Sequence, residues 1–141
     1  MLVPFQKEQP TDSMEFELFT YADNSILEVR VSGALEVTYF LEMINVVLNE
    51  LEARDIKKLI YYNESADSSN ISMSDLKLIV RATRRLNDVL AGGCAAAAIR
   101  NKLSYGLIRM WQAFNSVELS YDFQLFNSYH PAINWLKKKE R

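Results

Sequence analysis

The chain has 141 residues, of which 49% are hydrophobic and 24% charged, and its net charge is −2. This composition is typical of a globular domain with a real core and argues against disorder. The slight negative charge argues against nucleic acid as a partner, because binding to phosphate backbones needs clustered lysine and arginine. The N-terminus does not resemble a signal peptide and no apolar run reaches the length of a membrane span, so we expect a cytoplasmic protein.

The first elements in chain order form a predicted β-hairpin. Residues 1–12 have mixed polarity and are predicted to be a loose tail ahead of one domain at 13–141. Apolar and polar residues alternate at 14–21 and again at 26–31, with turn-forming residues between them. This period of two predicts two antiparallel strands.

A helix and a strand follow the hairpin. Apolar residues recur at helical spacing from about 36 to 54, which predicts a helix with a broad apolar face. The run at 57–62 (KKLIYY) is short, apolar and aromatic, and predicts a buried strand. A serine-rich loop, 63–76 (NESADSSNISMSDL), comes next.

The rest of the chain alternates between helices and strands. A second helix is predicted from Leu76 to Leu90, ended by two glycines, and a third over 103–114. The alanine-rich run Cys94–Ile99 favours a helix by propensity, but its position between two helices predicts a strand whose small side chains let helices approach both faces of the sheet. A strand at 118–126 and a helix containing Pro131 in its first turn complete the chain.

The order of elements is therefore β-β-α-β-α-β-α-β-α. Strands that alternate with helices after an initial hairpin predict an α/β fold, in which one mixed, mostly parallel five-stranded sheet is covered by helices.

Two segments carry a resemblance to a known family. Tyr105–Met110 (YGLIRM) lies on the third predicted helix, and Phe126–Leu136 (FNSYHPAINWL) joins the last strand to a helix with an Ala-x-x-Trp-Leu ending. With the order of elements, they resemble the STAS domain, named for sulfate transporters and anti-sigma-factor antagonists, especially its SpoIIAA-like branch. The resemblance implies a non-catalytic module in a bacterial cytoplasm that binds a regulatory protein. Related folds resemble the lipid-binding CRAL-TRIO domain, which implies a carrier or sensor of a small hydrophobic molecule as the alternative.

The resemblance also implies a phosphorylation site in the serine-rich loop. Antagonists of the family carry Asp-Ser-x-Gly or Asp-Ser-Ser-Gly there, and this motif falls on residues 72–75, with Ser74 at the second serine and Ser72 as a weaker candidate. In this chain Ser72 replaces the aspartate and Asp75 replaces the glycine. A phosphate on Ser74 would meet the positive end of the helix and be repelled by Asp75.

The same residues also have a purely structural interpretation. Ser74, or Ser72 together with Asp75, can accept hydrogen bonds from free backbone N–H groups and cap the helix. Ser65, Ser68 and Ser69 are predicted to be plain loop residues.

Two further surfaces are candidates for binding. Four basic residues are predicted to share one sector of the second helix: Lys77, Arg81, Arg84 and Arg85. They could dock an acidic partner or an anionic head group, and the alternative is a solvated helix face with no partner. Tyr39, Met43 and Val46 widen the apolar face of the first helix. This surplus predicts a homodimer surface, the rim of a lipid pocket or deeper burial.

The sequence gives little support to catalysis. His130, the only histidine, precedes Pro131 at a helix start, where a capping or surface role is expected. With one histidine and one cysteine, a zinc site of the usual type lacks ligands, and no phosphate-binding loop or nucleophile elbow is present. We therefore expect no cofactor, no metal and no enzymatic activity; an unrecognised site around His130, Arg109 or the serine loop is the remaining alternative.

Overall fold

The computed structural model describes residues 13–21, 23, 25–115 and 119–139, so the predicted tail at 1–12 lies outside the described residues. Five strands of the described residues form one sheet, and they are β1 (Glu15–Thr20), β2 (Leu27–Ser32), β3 (Lys58–Asn63), β4 (Cys94–Ile99) and β5 (Asp122–Phe126). The spatial order of the strands is the chain order; β1 is antiparallel to β2, and all other neighbours are parallel. The predicted mixed α/β sheet is confirmed.

Helices cover both faces of this sheet unequally. They are α1 (Val37–Arg54), α2 (Met73–Thr83), the short α3 (Leu86–Val89), α4 (Lys102–Asn115) and α5 (Tyr129–Lys138). Each crossover from β2 to β5 moves one strand in the same direction, so right-handed connections place their helices on the same face. The last helix, α5, folds back onto the opposite face. Within the described residues, no helix is long and apolar enough to cross a membrane.

The two faces contain separate apolar cores. The first face carries the larger core, in which side chains of β2 and β3 pack against α1, α2 and the buried Trp111 of α4. On the second face, Ile60 and Ala96 pack against Ala132, Ile133 and Leu136 of α5. Removing these side chains from water is the main force that holds each helix to the sheet.

The second predicted helix is divided into two. We predicted a helix to Leu90, but α2 ends at Thr83, whose hydroxyl donates a hydrogen bond to the carbonyl oxygen of Val80 (3.1 Å). The backbone N–H of Arg84 then bonds to Arg81 (3.3 Å), three residues back, rather than continuing the α-helical ladder. The competing side-chain bond explains the end of the helix.

The alanine-rich segment is a strand, as predicted, but helices approach it closely on one face only. Cys94–Ile99 forms the buried strand β4 between β3 and β5. Helix α5 packs closely on β4, whereas α4, on the first face, makes few close backbone contacts with it. The expected close approach on both faces was therefore wrong for the first face.

Candidate functional site

The serine-rich loop is fixed at the carboxyl edge of the sheet. The backbone N–H of Asp67 donates to the carbonyl of Gly33 (2.9 Å), and the N–H of Leu35 donates to the carbonyl of Asp67 (2.8 Å). At the start of the loop, the Asn63 side-chain oxygen accepts a bond from the N–H of Ala66 (2.8 Å). These bonds tie the loop to β3 and to the β2–α1 connection, so the start of α2 is held in a defined position.

Three serines of the loop have different environments. Ser65 is exposed, and the Ser69 hydroxyl donates to the Asp67 carboxylate (3.0 Å). Ser68 is only 2% exposed, and its hydroxyl is hydrogen-bonded to that of Ser104 at the start of α4. The expectation that Ser68 is a plain loop residue was therefore wrong. The sequence did not reveal the contact because Ser104 lies 36 residues further along the chain.

Ser72 and Asp75 form the cap of α2. The Ser72 hydroxyl accepts a bond from the N–H of Asp75 (3.0 Å), and the Asp75 carboxylate accepts one from the N–H of Ser72 (3.0 Å). This reciprocal capping box satisfies backbone donors that the first turn leaves free. Ser74 is not the cap. It lies exposed in the first turn, and its hydroxyl forms no hydrogen bond with the part of the chain that the structure describes.

The four basic candidates are all exposed, but they do not lie on one continuous helix. Lys77 and Arg81 lie one turn apart on α2, whereas Arg84 and Arg85 follow its end. Arg85 contacts Glu52 of α1 at 3.4 Å. Lys77, Arg81 and Arg84 form no ion pair with any described residue. Arg84 and Arg85 keep helical backbone angles beyond the end of α2, and the predicted shared sector of all four residues stays a prediction.

The apolar candidates on α1 differ in exposure. Tyr39 and Val46 are 37% and 40% exposed, and the Tyr39 ring contacts Phe16 of β1 at a centroid distance of 5.3 Å. Met43 is only 3% exposed and belongs to the first core. The prediction of Met43 as a surface residue was wrong, and deeper burial accounts for its part of the apolar surplus.

The residues named for an unrecognised catalytic site are not brought together. His130 is exposed at the start of α5, whereas Arg109 is exposed on α4, which covers the opposite face of the sheet. Among the described residues, no group of three or more histidine, cysteine, aspartate or glutamate side chains is arranged to hold a metal ion.

A cavity of about 130 Å³ lies between the first face of the sheet and helices α1, α2 and α4. Ala95 and Ala97 of β4 form part of its wall, and Ser68 and Ser104 also line it. Much of the remaining wall is aromatic, and consists in part of Phe40, Tyr61, Trp111, Tyr121 and Phe123. This cavity is where α4 stands away from the alanines of β4.

The second face holds a buried carboxylate that the sequence pattern did not single out. Glu28 of β2 is 2% exposed; its carboxylate accepts a hydrogen bond from the Tyr129 hydroxyl (2.5 Å) and pairs with Arg30. The Tyr129 hydroxyl also contacts that of Tyr21 (3.2 Å). Burial, followed by the bond to Glu28, raises the pKa of Tyr129 well above its ordinary value. No sequence signal indicated its burial, because Glu28 lies at a polar position of the alternating strand, on the side opposite Leu27 and Val29.

Comparison with known proteins finds similarity at the level of structure. No protein-family model matches the chain, and no curated protein matches it in sequence. The crystal structure of an anti-sigma factor antagonist from Mycobacterium paratuberculosis superposes with a TM-score of 0.61 over 90% of this chain and 97% of that chain, at 14% sequence identity. The chain therefore shares the fold of this anti-sigma factor antagonist, in agreement with the fold that the resemblance to STAS domains implied.

Proposed function

We propose that the chain is a non-catalytic regulatory module of STAS type, which acts in a bacterial cytoplasm and binds a partner protein with an acidic surface through the outer face of α2. Ser74 is the residue at which phosphorylation controls this binding. The fold shared with an anti-sigma factor antagonist supports a regulatory role.

The observation that carries the proposal is the exposed stripe along α2. Four exposed residues lie on one side of the helix, because the last three follow the first by three, four and seven residues: Ser74, Lys77, Leu78 and Arg81. Leu78 is 40% exposed between two cations that form no ion pair with described residues. A stripe that combines an apolar side chain with unpaired cations is suited to an acidic protein surface.

The position of Ser74 gives phosphorylation a direct effect on this stripe. A phosphoserine carries about two negative charges, which would offset the two positive charges of Lys77 and Arg81. Lys77 lies one turn after Ser74, within reach of a phosphate, and the helix start favours an anion there. The Asp75 carboxylate accepts a bond from the Ser72 N–H (3.0 Å), so it is held towards the cap.

The test is quantitative affinity purification from the protein's own cells, with native mass spectrometry of the recovered protein. We expect a partner that the wild type retains and that both Ser74→Asp and the double variant Lys77→Glu/Arg81→Glu lose. A mass shift of one phosphate, absent from Ser74→Ala, would identify the modified residue.

A matched control is Lys138→Glu, since Lys138 is an exposed cation on α5, on the opposite face of the sheet. This variant should retain the partner. If the double variant on α2 keeps every partner of the wild type, α2 is not the docking surface and the proposal is wrong.

The lipid-carrier alternative receives less support from the cavity on the first face. Its volume of about 130 Å³ is close to that of an engineered cavity, about 150 Å³, that holds benzene, and this is too small for an acyl chain. Homodimer formation through the exposed Tyr39 and Val46 stays a prediction, which the same native mass spectra test.

A further inference from the structure

We propose that the cavity on the first face binds a small single-ring molecule that carries one polar group, of the chemical class of phenol. The site lies beneath α4, whereas the proposed docking stripe lies on the outer side of α2, so the two proposals stand or fall separately. The cavity's size, its wall and its polar end each favour such a ligand.

The size of the cavity fits one ring. A cavity of about 150 Å³ lined by leucine, isoleucine and phenylalanine stays dry and binds benzene, and the volume here is about 130 Å³. The packing explains why the space exists. On β4, Ala95 and Ala97 face α4 with single methyl groups, while the bulky Trp111 side chain lies between α4 and the sheet.

The wall of the cavity favours an aromatic ligand. The rings of Trp111 and Phe123 lie 5.2 Å apart in a tilted arrangement, and those of Phe40 and Tyr61 meet edge to face at 6.0 Å. All four rings line the cavity. A ligand ring among them can form the tilted contacts that aromatic pairs prefer.

Almost all of the cavity's wall is apolar; the polar contact that we assign to it, its polar end, is the pair of hydroxyls of Ser68 and Ser104. Each is 2% exposed, and their hydroxyl groups are hydrogen-bonded to each other. Two hydroxyls carry two protons, and the bond between them uses one. No other hydrogen bond of either side chain is formed within the described residues, so one buried donor remains for a ligand oxygen. By contrast, Trp111 Nε1 already donates to Thr83 Oγ1 (2.8 Å), so that pair is satisfied.

The experiment is an NMR titration of the full chain, labelled in its alanine methyl groups, with phenol and with benzene. Successive residues of β4 point to opposite faces, so a ring in the cavity should shift the methyl resonance of Ala97 and leave that of Ala98, which faces α5, nearly unchanged. Phenol and benzene should both raise the melting temperature.

Three variants locate the ligand. Ala97→Leu and Ile108→Phe each fill the cavity from a different wall and should abolish binding of both probes; two positions are used in case one variant does not fold. The double variant Ser68→Ala/Ser104→Ala removes both hydroxyls and should weaken phenol binding by roughly three- to tenfold, the effect of one hydrogen bond, without weakening that of benzene. Gly106→Ala is the control, since an added Cβ at this exposed position of α4 meets no atom within 4 Å.

Several results would overturn the proposal. Absence of any shift at Ala97 with either probe would show that the cavity admits no ring. Equal shifts at Ala97 and Ala98 would place the ligand elsewhere. So would binding of either probe to a folded Ala97→Leu or Ile108→Phe variant. If Ser68→Ala/Ser104→Ala weakens phenol and benzene alike, or weakens neither, the two hydroxyls do not select the ligand.

Discussion

The contact between Tyr129 and Glu28 gives a sharp test of how α5 is held on the second face. The Glu28 carboxylate is only 2% exposed and accepts a hydrogen bond of 2.5 Å from the Tyr129 hydroxyl. Tyr129→Phe removes this donor and leaves the carboxylate buried. Hydrogen bonds to charged groups contribute about 1.5–3 kcal/mol. The phenylalanine ring keeps the contact with Tyr62, whose centroid lies 4.9 Å from that of Tyr129. We therefore expect a loss of about 2 kcal/mol in the free energy of unfolding.

The loss should depend on the carboxylate. In a Glu28→Met background, where an apolar side chain of similar length replaces it, Tyr129→Phe should cost less than about 0.5 kcal/mol. Urea denaturation followed by circular dichroism measures all four members of this cycle. Tyr39→Phe is the control, because Tyr39 is 37% exposed on α1. If Tyr129→Phe costs no more than this control, or costs the same in both backgrounds, the buried bond does not hold α5.

Three other changes have predictable effects. Ser72→Ala removes one half of the capping box and should destabilise the chain by about 1 kcal/mol in urea melts. Gly33 has φ +80, and a Cβ there would lie 1.9 Å from a backbone oxygen, so Gly33→Ala should lower the melting temperature, whereas Gly106→Ala should raise it. Burial raises the pKa of Tyr61 and of Tyr121, so above about pH 10 the unfolded chain loses these protons while the folded chain keeps them. The free energy of unfolding should therefore decrease as the pH rises above about 10. Circular dichroism during an alkaline titration measures this loss.

Most of the architecture was predictable because it depends on local periodicity. The period of two in the hairpin and the helical spacing of α1 identify these elements, and α1 begins one residue from its predicted start. The end of α2 was not predictable in this way. Thr83 bonds to carbonyls of its own helix while it accepts a bond from Trp111, and this arrangement requires α4 to be in place.

The candidate site was predictable in position but not in detail. A loop that joins a parallel strand to the next helix must start at the carboxyl edge of the sheet, and this topology alone places Ser72, Ser74 and Asp75 there. The roles of individual serines depend on tertiary partners. Ser68 is buried against Ser104, and the two are separated in the chain by α2, α3 and β4.

Strand β4 shows how one composition can have opposite consequences on two faces. On the second face, Ala96 and Ala98 meet α5, which presents its own small Ala132, so the backbones come close. On the first face, Ala95 and Ala97 meet α4 with its Trp111, and a void of about 130 Å³ remains. At about 24 cal/mol per Å³, such a void costs roughly 3 kcal/mol, a large part of the 5–15 kcal/mol that stabilises a typical domain. Filling it with Ala97→Leu should therefore stabilise the empty protein while it abolishes phenol binding, a combination that a purely structural role of Ala97 would not produce.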